Sequence, residues 1–418
     1  MLKKFVNSFS IYRGLPTDIY YIAVARFVLG LGNFIIPFLF LLLTLKLGYS
    51  ATSAGGLAMG VTLFYLLGNF SGGKLSDSLG HKKIMVFGEL AGSGVLILSG
   101  FFHDWHLMLP VLLFISYFFF GIALPASNAL VADLSTPENR NAVISFSYLS
   151  YNLGSGVGPV LAGYLFRDHT VWIFIGNGLA GLIGILIVIL GVRHHYERRL
   201  TPPAEPGDAE EAKQGTVWRV FKERPWLLVF GVLCTFLWFS VNQMTIVTPL
   251  FLAHRYGENG PWLFGQLMTF ASLLVVIITP ILIRVTGQTC EIKSLALAGF
   301  LFAAGYLFVM LFSPIAMQFV AWFFLSAGEV LLLTKEGVYL ANQSPVSHRG
   351  RINSIMTTLR SLGLMPACIL MGACIQSFGY ITTWWVIIII SLITAVALLL
   401  LSHHQKQFKY PTAPGKVN

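Results

Sequence analysis

Residues 73–83 have the sequence GKLSDSLGHKK and lie between two apolar runs at 54–73 and 84–102. Each run is about as long as the roughly 20 apolar residues that a helix needs to cross a bilayer. The stretch between them is polar and ends in basic residues, with Asp77 and Gly80 at its centre. We interpret it as a tight turn between two membrane-spanning helices, with its basic end facing anionic lipid headgroups.

The composition of the whole chain agrees with this interpretation. The 418 residues are 56% hydrophobic and only 11% charged, and the mean hydropathy is +0.75. Soluble domains carry roughly 25% charged residues, so the composition excludes a water-soluble enzyme, a nucleic-acid-binding protein and a disordered protein. We assign the net charge of +10 to loops at the cytoplasmic face rather than to a nucleic-acid partner. The four cysteines lack the spacing of metal ligands, so we expect no metal site.

From the apolar runs of the whole chain we predict an all-α membrane protein with twelve spans. The predicted spans are 20–47, 54–73, 84–102, 107–132, 141–166, 170–192, 226–253, 261–283, 294–313, 317–341, 352–378 and 381–402. Glycine and proline inside such spans are tolerated because neighbouring helices satisfy the freed backbone groups.

The distribution of basic residues predicts the orientation of these spans. With both termini on the cytoplasmic side, 21 Lys and Arg residues lie in cytoplasmic segments and three in the opposite loops, as the positive-inside rule requires. The polar, proline-rich stretch 193–225 is then a cytoplasmic linker. It separates an N-terminal six-helix bundle, 1–192, from a C-terminal six-helix bundle with a short tail, 226–418.

The two predicted bundles contain the traces of an internal repeat. An offset of 207 residues aligns Gly80 with Gly287, and an offset of 208 aligns Pro137 with Pro345, at equivalent loops of the two halves. Two matches at nearly one offset predict a duplicated six-helix unit. Parallel repeats of this kind are typical of a transporter architecture whose substrate site lies near the membrane midplane.

The 73–83 stretch resembles the signature loop of the major facilitator superfamily, G-x-L-a-D-r-x-G-r-k. It keeps the glycines, the leucine, the aspartate and the basic end, and departs from the pattern at Ser78 and His81. The resemblance implies two pseudo-symmetric six-helix bundles, and a gate at this loop in which Asp77 is the central residue. The second copy of the loop has Arg284 in place of the aspartate, which argues against a symmetric latch. The gating residues expected from the resemblance in this region are Gly73, Asp77, Gly80, Lys82, Asp133 and Arg140.

A second motif lies in the fifth predicted span, where residues 152–163 read NLGSGVGPVLAG. Its G-x-x-x-G-P-x-x-x-G arrangement resembles the fifth-helix motif of the drug/proton antiporters of the same superfamily. The resemblance adds Gly158 and Pro159 to the gating residues and implies proton-coupled export. Ordinary close packing of helices through small residues is the alternative interpretation.

Charged residues inside the spans are candidates for function because charge is costly in hydrocarbon. These residues are Arg26, Glu89, Glu329, Lys335, Glu336 and Arg360. Glu329 lies about twelve residues into the tenth span, near the midplane, where apolar surroundings favour a carboxyl group that takes up and releases protons. We predict that Glu329 and Glu336 couple transport to protons. Lys335 meets another acidic group or extends to the headgroups.

The remaining charged groups leave alternatives open. Arg26 and Arg360 neutralise Glu336, bind an anionic part of the substrate or extend to the headgroups. For Glu89 we expect a structural role near the 73–83 turn. The polar and aromatic residues in mid-span, taken as a set, suggest a cavity with amphipathic walls. The substrate-binding residues that we predict are Arg26, Asn33, Tyr148, Tyr151, Asn152, Trp238, Asn242, Gln243, Lys335 and Arg360.

Together these observations predict a secondary active transporter, and we expect it to export an amphiphilic or drug-like small molecule in exchange for protons. A proton-coupled importer of an anionic metabolite, peptide or siderophore-like solute is the alternative, and a non-transporting membrane receptor is a third possibility. The sequence contains no complete Walker loop, no H-E-x-x-H and no G-x-S-x-G, so we expect no enzyme activity and no cofactor. The expected partners are a small-molecule substrate, protons and the lipid bilayer, with no nucleic acid. We expect a multi-pass monomer in a bacterial cytoplasmic membrane.

Overall fold

The computed structural model of the chain describes residues 14–136, 139–192, 221–222, 224–287, 289–344 and 349–407. Within these ranges the regular secondary structure is helical, and no strand occurs. The helices are α1 (Thr17–Leu31), α2 (Ile35–Leu41), α3 (Ala51–Leu79), α4 (His81–Phe101), α5 (Met108–Asp133), α6 (Arg140–Asp168), α7 (Thr170–Gly191), α8 (Trp226–Asn242), α9 (Val247–Tyr256), α10 (Gly260–Val285), α11 (Glu291–Leu311), α12 (Ile315–Gln343) and α13 (Arg349–Gln407). A π-helical turn, Leu42–Lys46, extends α2, and a 3-10 turn, Gly257–Asn259, follows α9.

The all-α membrane class is confirmed by the length and composition of these helices. In the described part of the chain, nine helical segments are long and apolar enough to cross a membrane. Two of them, Trp226–Val285 and Ile355–His404, have 60 and 50 residues, more than twice the length that one span requires. The helical membrane architecture is therefore confirmed, whereas the number of twelve spans stays a prediction.

The turn between the second and third predicted spans is shorter than the 73–83 stretch predicted from the sequence. Helix α3 continues through residues 73–79, and α4 starts at His81, so Gly80 alone reverses the chain. Gly80 has φ 98° and ψ 138°, a backbone conformation in the positive-φ region that L side chains rarely adopt. The prediction of a tight turn at Gly80 was right, and the expectation that the preceding residues lie in the turn was wrong.

Two predicted spans contain breaks, and a third break lies between two spans. The first is interrupted between α1 and α2 at residues 32–34, and the seventh between α8 and α9 at residues 243–246. The long helix α13 covers both the eleventh and the twelfth predicted spans, and Gly379 divides it with φ 76° and ψ 176°. In a membrane, such breaks are stable only where other groups of the protein satisfy the freed backbone polar groups.

The chain forms two compact units. The first contains the described residues of Met1–Arg198 with Thr248–Leu273, and the second those of Arg199–Val247 with Leu274–Asn418. In the first unit α1 packs on α6 and α7, α3 and α4 pack on α5, and α4 packs on α7. In the second unit α11 packs on α12 and α13, and α8 packs on α13. The predicted linker 193–225 lies almost wholly outside the described residues, so the predicted bundle boundaries stay a prediction.

The glycines of the fifth-span motif lie at close helix crossings inside the first unit. A Cβ atom built on Gly154 of α6 would lie 2.0 Å from the carbonyl oxygen of Phe27 in α1. On another face of α6, a Cβ atom on Gly163 would lie 2.9 Å from the carbonyl oxygen of Pro261 in α10. The motif therefore lets α6 approach two helices at once, which small residues permit in membrane proteins.

The outer surface of the described helices is strongly apolar. Large side chains such as Phe70, Leu190 and Leu400 are 77%, 72% and 67% exposed. Contiguous apolar surface on this scale is foreign to a water-soluble monomer and is what lipid-facing helices present.

We predict that Gly154→Ala destabilises the protein, because the added methyl group meets backbone atoms that cannot move aside. Overpacking of this kind costs about 1–3 kcal/mol. The measurement is the thermal unfolding midpoint of the purified protein in detergent. Gly94→Ala is the matched control, because a Cβ atom at Gly94 of α4 has no heavy atom within 4 Å. Equal midpoints for the two variants would contradict the close approach of α1 and α6.

Candidate functional site

A cavity of about 490 Å³ lies among the helices of the first unit. Its polar lining combines one cation, one carboxylate, three tyrosines, two asparagines and two hydroxyl residues: Arg26, Asn33, Thr62, Tyr65, Glu89, Tyr117, Ser127, Tyr151 and Asn177. Apolar groups, among them Leu29, Ile36 and Phe120, complete the walls. A concave, mostly apolar site with a few polar groups is the usual form of a small-molecule site. Of the predicted binding residues, Arg26, Asn33 and Tyr151 meet here.

The break between α1 and α2 lies beside this cavity. Asn33, in the break, lines the cavity, and the backbone amide of Ile35 donates to Oδ1 of Asn177 in α7 at 3.4 Å. That bond satisfies one of the amide groups left without an intrahelical partner at the start of α2. The irregular backbone of the first span is thus stabilised at the cavity by a polar group from another helix.

Arg26 is held by neutral groups. Its Nη2 donates to Oγ of Ser127 at 2.9 Å and to Oδ1 of Asn128 at 3.0 Å, both in α5. Its Nε is buried without a hydrogen-bond partner among the described residues. The guanidinium group is therefore fixed in position while its positive charge has no carboxylate at hydrogen-bonding distance.

Glu89 lines the same cavity. It follows the start of α4 by eight residues, and Arg26 follows the start of α1 by nine, which gives rises of about 12 Å and 14 Å. The sequence had suggested a place near the 73–83 turn, because the apolar run begins only at residue 84. The early start of α4 instead brings Glu89 to the cavity wall.

The second unit contains a compact group of three predicted residues. The indole Nε1 of Trp238 donates to Oε2 of Glu336 at 2.7 Å, and Nη1 of Arg360 lies 3.8 Å from the same oxygen. The guanidinium carbon of Arg360 lies 4.5 Å from the centroid of the Trp238 ring. The group therefore combines an ion pair, a hydrogen bond to a charged acceptor and a cation–π contact.

Lys335 is turned away from this group. Its Nζ donates to the backbone carbonyl of Thr286 at 2.7 Å, and the residue is buried. Thr286 follows the last residue of α10, so the ammonium group caps the negative end of that helix. The structure thus gives Lys335 a partner that the sequence did not suggest, instead of an acidic group or the lipid headgroups.

Glu329 lies at the middle of α12, fourteen residues after its start in a helix of 29 residues. It is half-buried, and no ion-pair partner for it occurs among the residues that the structure describes. Tyr306 lies nearby, but its hydroxyl group donates to the backbone carbonyl of Ser240. The carboxyl group of Glu329 thus stays without a compensating charge at mid-helix.

Apart from Lys335, four of the predicted binding residues lie outside the cavity lining of the first unit and outside the group around Glu336. Tyr148 is 63% exposed, and the side-chain amide of Asn152 donates to its backbone carbonyl at 2.8 Å. The side-chain amide of Asn242 donates to the carbonyl of Trp238 at 2.8 Å, and that of the fully buried Gln243 donates to the carbonyl of Phe239 at 2.9 Å. These three amides thus bond to their own helices four residues back.

The predicted gate is described only in part. Asp77 is exposed in the last turn of α3. Oδ2 of Asp133 lies 3.6 Å from Nε2 of His81, and Nζ of Lys82 donates to the carbonyl of Val192 at 2.6 Å, directly after α7. A Cβ atom on Gly73 would meet nothing within 4 Å, whereas one on Gly158 would lie 2.8 Å from the carbonyl oxygen of Leu31. Pro159 is buried in α6, and the side chain of Arg140 lies outside the described residues.

Sequence reasoning missed several of the polar groups of the cavity. Tyr65, Tyr117 and Asn177 come from the second, fourth and sixth predicted spans, which contain none of the predicted substrate-binding residues. Their position in mid-span was the available signal. Within the described residues no cluster of three or more His, Cys, Asp or Glu side chains could hold a metal ion.

A family model described as Major Facilitator Superfamily matches residues 22–315 and 288–417. A Na(+), Li(+), K(+)/H(+) antiporter of Planococcus maritimus is 22% identical over 346 residues, which cover 76% of this chain and 80% of the relative. Multidrug resistance protein MdtH of Salmonella typhimurium is 27% identical over 154 residues, 35% of this chain and 37% of that protein.

Among solved structures, an auto-inhibited POT family peptide transporter superposes with a TM-score of 0.75 at 15% identity, and the match covers 96% of this chain and 99% of the other. At this identity the likeness concerns the fold alone. The superposition and the family match agree with the fold that the 73–83 stretch implied.

We predict that the ion pair of Glu336 and Arg360 makes their substitutions non-additive. The double variant Glu336→Gln/Arg360→Gln should lose less thermal stability than the sum of the two single variants, with a coupling on the order of 1 kcal/mol. The exposed pair Arg167–Glu258, with an Nη2–Oε2 distance of 2.8 Å, is the control, for which we expect a coupling of about 0–1 kcal/mol that salt reduces. Strict additivity at Glu336 and Arg360 would show that the contact does not contribute to stability.

Proposed function

Because the chain belongs to the Major Facilitator Superfamily of membrane transporters, we propose that it exports an amphiphilic or drug-like small molecule in exchange for protons. Relatives named as an antiporter that exchanges cations for protons and as a multidrug resistance protein support the direction and the substrate class. The match to the first of these relatives spans most of both chains. The amphipathic walls of the cavity in the first unit suit a solute with an apolar body.

Glu329 is the observation on which the proposal rests. A carboxyl group at the centre of an apolar 29-residue helix is costly when ionised. With no cation paired to it in the described part of the chain, it is stabilised by taking up a proton and destabilised by losing it. A group of this kind can exchange protons between the two sides of a membrane during alternating access.

In the proposed cycle Glu329 releases its proton to the cytoplasm, and the solute then binds. Glu336 assists this proton transfer, and Asp77 acts in the gate. We place the transporter as a monomer in a bacterial cytoplasmic membrane with both termini in the cytoplasm, because the distribution of Lys and Arg residues favours that orientation.

Import of an anionic metabolite is the second candidate, and Arg26 is the observation that favours it. Its guanidinium group faces the cavity with neutral partners and a buried, unpartnered Nε, so an anionic group of a solute would complete its hydrogen bonds. Vesicles of the two orientations separate the candidates. Accumulation in right-side-out vesicles driven by an acid exterior would support import and contradict export.

We predict that Glu329→Gln abolishes proton-coupled transport, because glutamine keeps the shape of the side chain but cannot exchange a proton. The measurement is proton flux into proteoliposomes with a trapped pH-sensitive dye, after addition of a panel of amphiphilic solutes. The variant should behave like protein-free liposomes and keep the thermal unfolding midpoint of the unmodified protein.

Glu258→Gln is the matched control, since Glu258 is an exposed carboxylate in the ion pair with Arg167, and its flux should be unchanged. Parallel liposomes with a sodium, lithium or potassium gradient test for the exchange named for the Planococcus relative. Full proton coupling in Glu329→Gln would remove this residue from the mechanism.

We further predict that Asp77→Asn slows transport more than it weakens solute binding, because Asp77 is exposed at the end of α3, away from the cavity lining. Turnover in proteoliposomes and equilibrium binding in detergent give the two quantities. Ser78→Ala, a neighbouring exposed position, should leave both unchanged. An unchanged turnover in Asp77→Asn would contradict a role in gating.

A further inference from the structure

We propose that the cavity of the first unit binds a zwitterionic amphiphile, whose anionic group lies at Arg26 and whose cationic group lies at Glu89. This inference rests on the proposed transport function for its biological meaning and narrows the substrate class. It depends on where the two opposite charges of the cavity lie, on what already contacts each of them, and on the walls between them.

The proposed partner of the ligand's anionic group is Arg26, whose set of hydrogen-bond partners is incomplete. Two hydrogen bonds from Nη2 to Ser127 and Asn128 orient the guanidinium group. Both acceptors are neutral, and the buried Nε has no partner in the described part of the chain. A carboxylate, sulfonate or phosphate group of a ligand would supply the missing acceptor and the missing negative charge.

The proposed partner of the ligand's cationic group is Glu89, which lies on α4 against α7. Its Oε2 lies 3.9 Å from the place where a Cβ atom on Gly181 of α7 would be, which is ordinary contact distance, so the carboxyl group lies beside α7. Glu89 and Arg26 attract each other across the cavity, but no nitrogen–oxygen distance of 4.0 Å or less joins them among the described salt bridges. The pair is therefore held apart instead of closed.

Aromatic rings line the space near these charges. Tyr65, Tyr117, Phe120 and Tyr151 line the cavity, which measures about 490 Å³. Ring faces attract ammonium groups, and they pack well against an apolar or aromatic ligand body. The cavity volume lies within the usual range for small-molecule sites, so a ligand with an aromatic body and two groups of opposite charge fits the lining.

A ligand with a single charge fits these walls less well. A cation would pair with Glu89 and leave Arg26 uncompensated, whereas an anion would pair with Arg26 and leave Glu89 uncompensated. A charge enclosed in a site of low polarity without a partner is costly. A zwitterion pairs with both groups in one binding event, so the structure favours it over either singly charged analogue.

Three dansyl compounds that differ only in charge test this inference. Nε-dansyl-lysine is zwitterionic, dansylcadaverine lacks the carboxylate, and N-dansyl-6-aminohexanoic acid lacks the amino group. Binding to the purified full chain in detergent is followed by the fluorescence increase of the dansyl group in apolar surroundings. We expect the zwitterion to bind more tightly than either analogue by a factor on the order of ten.

Substitutions of Arg26 and Glu89 show which protein group contacts each charged group of the probe. Arg26→Gln should lower the affinity for dansyl-lysine to that for dansylcadaverine and leave the dansylcadaverine affinity unchanged or higher. Glu89→Gln should lower the affinity for dansyl-lysine to that for the hexanoic acid. Arg167→Gln and Glu258→Gln make the same chemical changes in the exposed ion pair and should leave all three affinities unchanged. An unchanged thermal midpoint in each variant excludes loss of the fold.

Two results would overturn the inference. One is that the unmodified protein binds dansylcadaverine as tightly as dansyl-lysine or more tightly. The other is that Arg26→Gln lowers the affinity for all three probes equally. These results are distinguishable from failure of the proposed function, because binding in detergent requires neither a proton gradient nor Glu329. Proton-coupled flux with no preference among the probes would reject the zwitterion site alone. A clear preference without proton-coupled flux would reject the proposed function alone.

Discussion

Hydrocarbon neither donates nor accepts hydrogen bonds, and the described part of this chain is arranged around that constraint. Backbone polar groups have to be satisfied within the protein, which restricts spanning segments here to helices. Where a helix breaks, hydrogen bonds outside the regular helical pattern satisfy the freed backbone groups. In the seventh predicted span the amides of Gln243 and Met244 donate to the carbonyls of Ser240 and Val241 at 3.1 Å and 3.0 Å. In the first span, Asn177 accepts from the backbone after the break.

The same constraint explains why the charges inside the helices have such different surroundings. Lys82 and Lys335 each donate to the carbonyl that directly follows the last residue of a neighbouring helix, where the helix dipole is negative. Arg360 is compensated by a carboxylate and an aromatic ring. Arg26 has only neutral acceptors, and Glu329 has no cation in the described residues. Glu89 likewise has no cation within 4.0 Å among the described residues. Energetic cost therefore concentrates at Arg26, Glu89 and Glu329, whose stabilisation needs a ligand or a proton.

The sequence predicted the elements well and the partners poorly, for a physical reason. Apolar run length and the turn at Gly80 depend on local chemistry, so the helices and the reversal after α3 could be predicted. The place of Glu89 depends on α4 starting before its apolar run, and the partner of Lys335 is a backbone carbonyl on another helix. Backbone acceptors have no sequence signature, and crossings such as that of Gly154 with Phe27 depend on three-dimensional packing. Residue type indicated which groups were costly, but not what would stabilise them.

The expected duplication clarifies why the two units use their charges differently. The breaks follow Leu31 in the first unit and Asn242 in the second, and an offset of 208 residues aligns Ser127 with Lys335 and Asn128 with Glu336. The neutral pair that holds Arg26 thus occupies the positions at which the other half has a lysine and a glutamate. In the second unit Glu336 finds Arg360 and Trp238, and its charge is compensated from within. In the first unit a neutral amide stands at that position, and Glu89 attracts Arg26 only from beyond ion-pair distance, so an anionic group that enters the cavity would complete the compensation of the Arg26 charge.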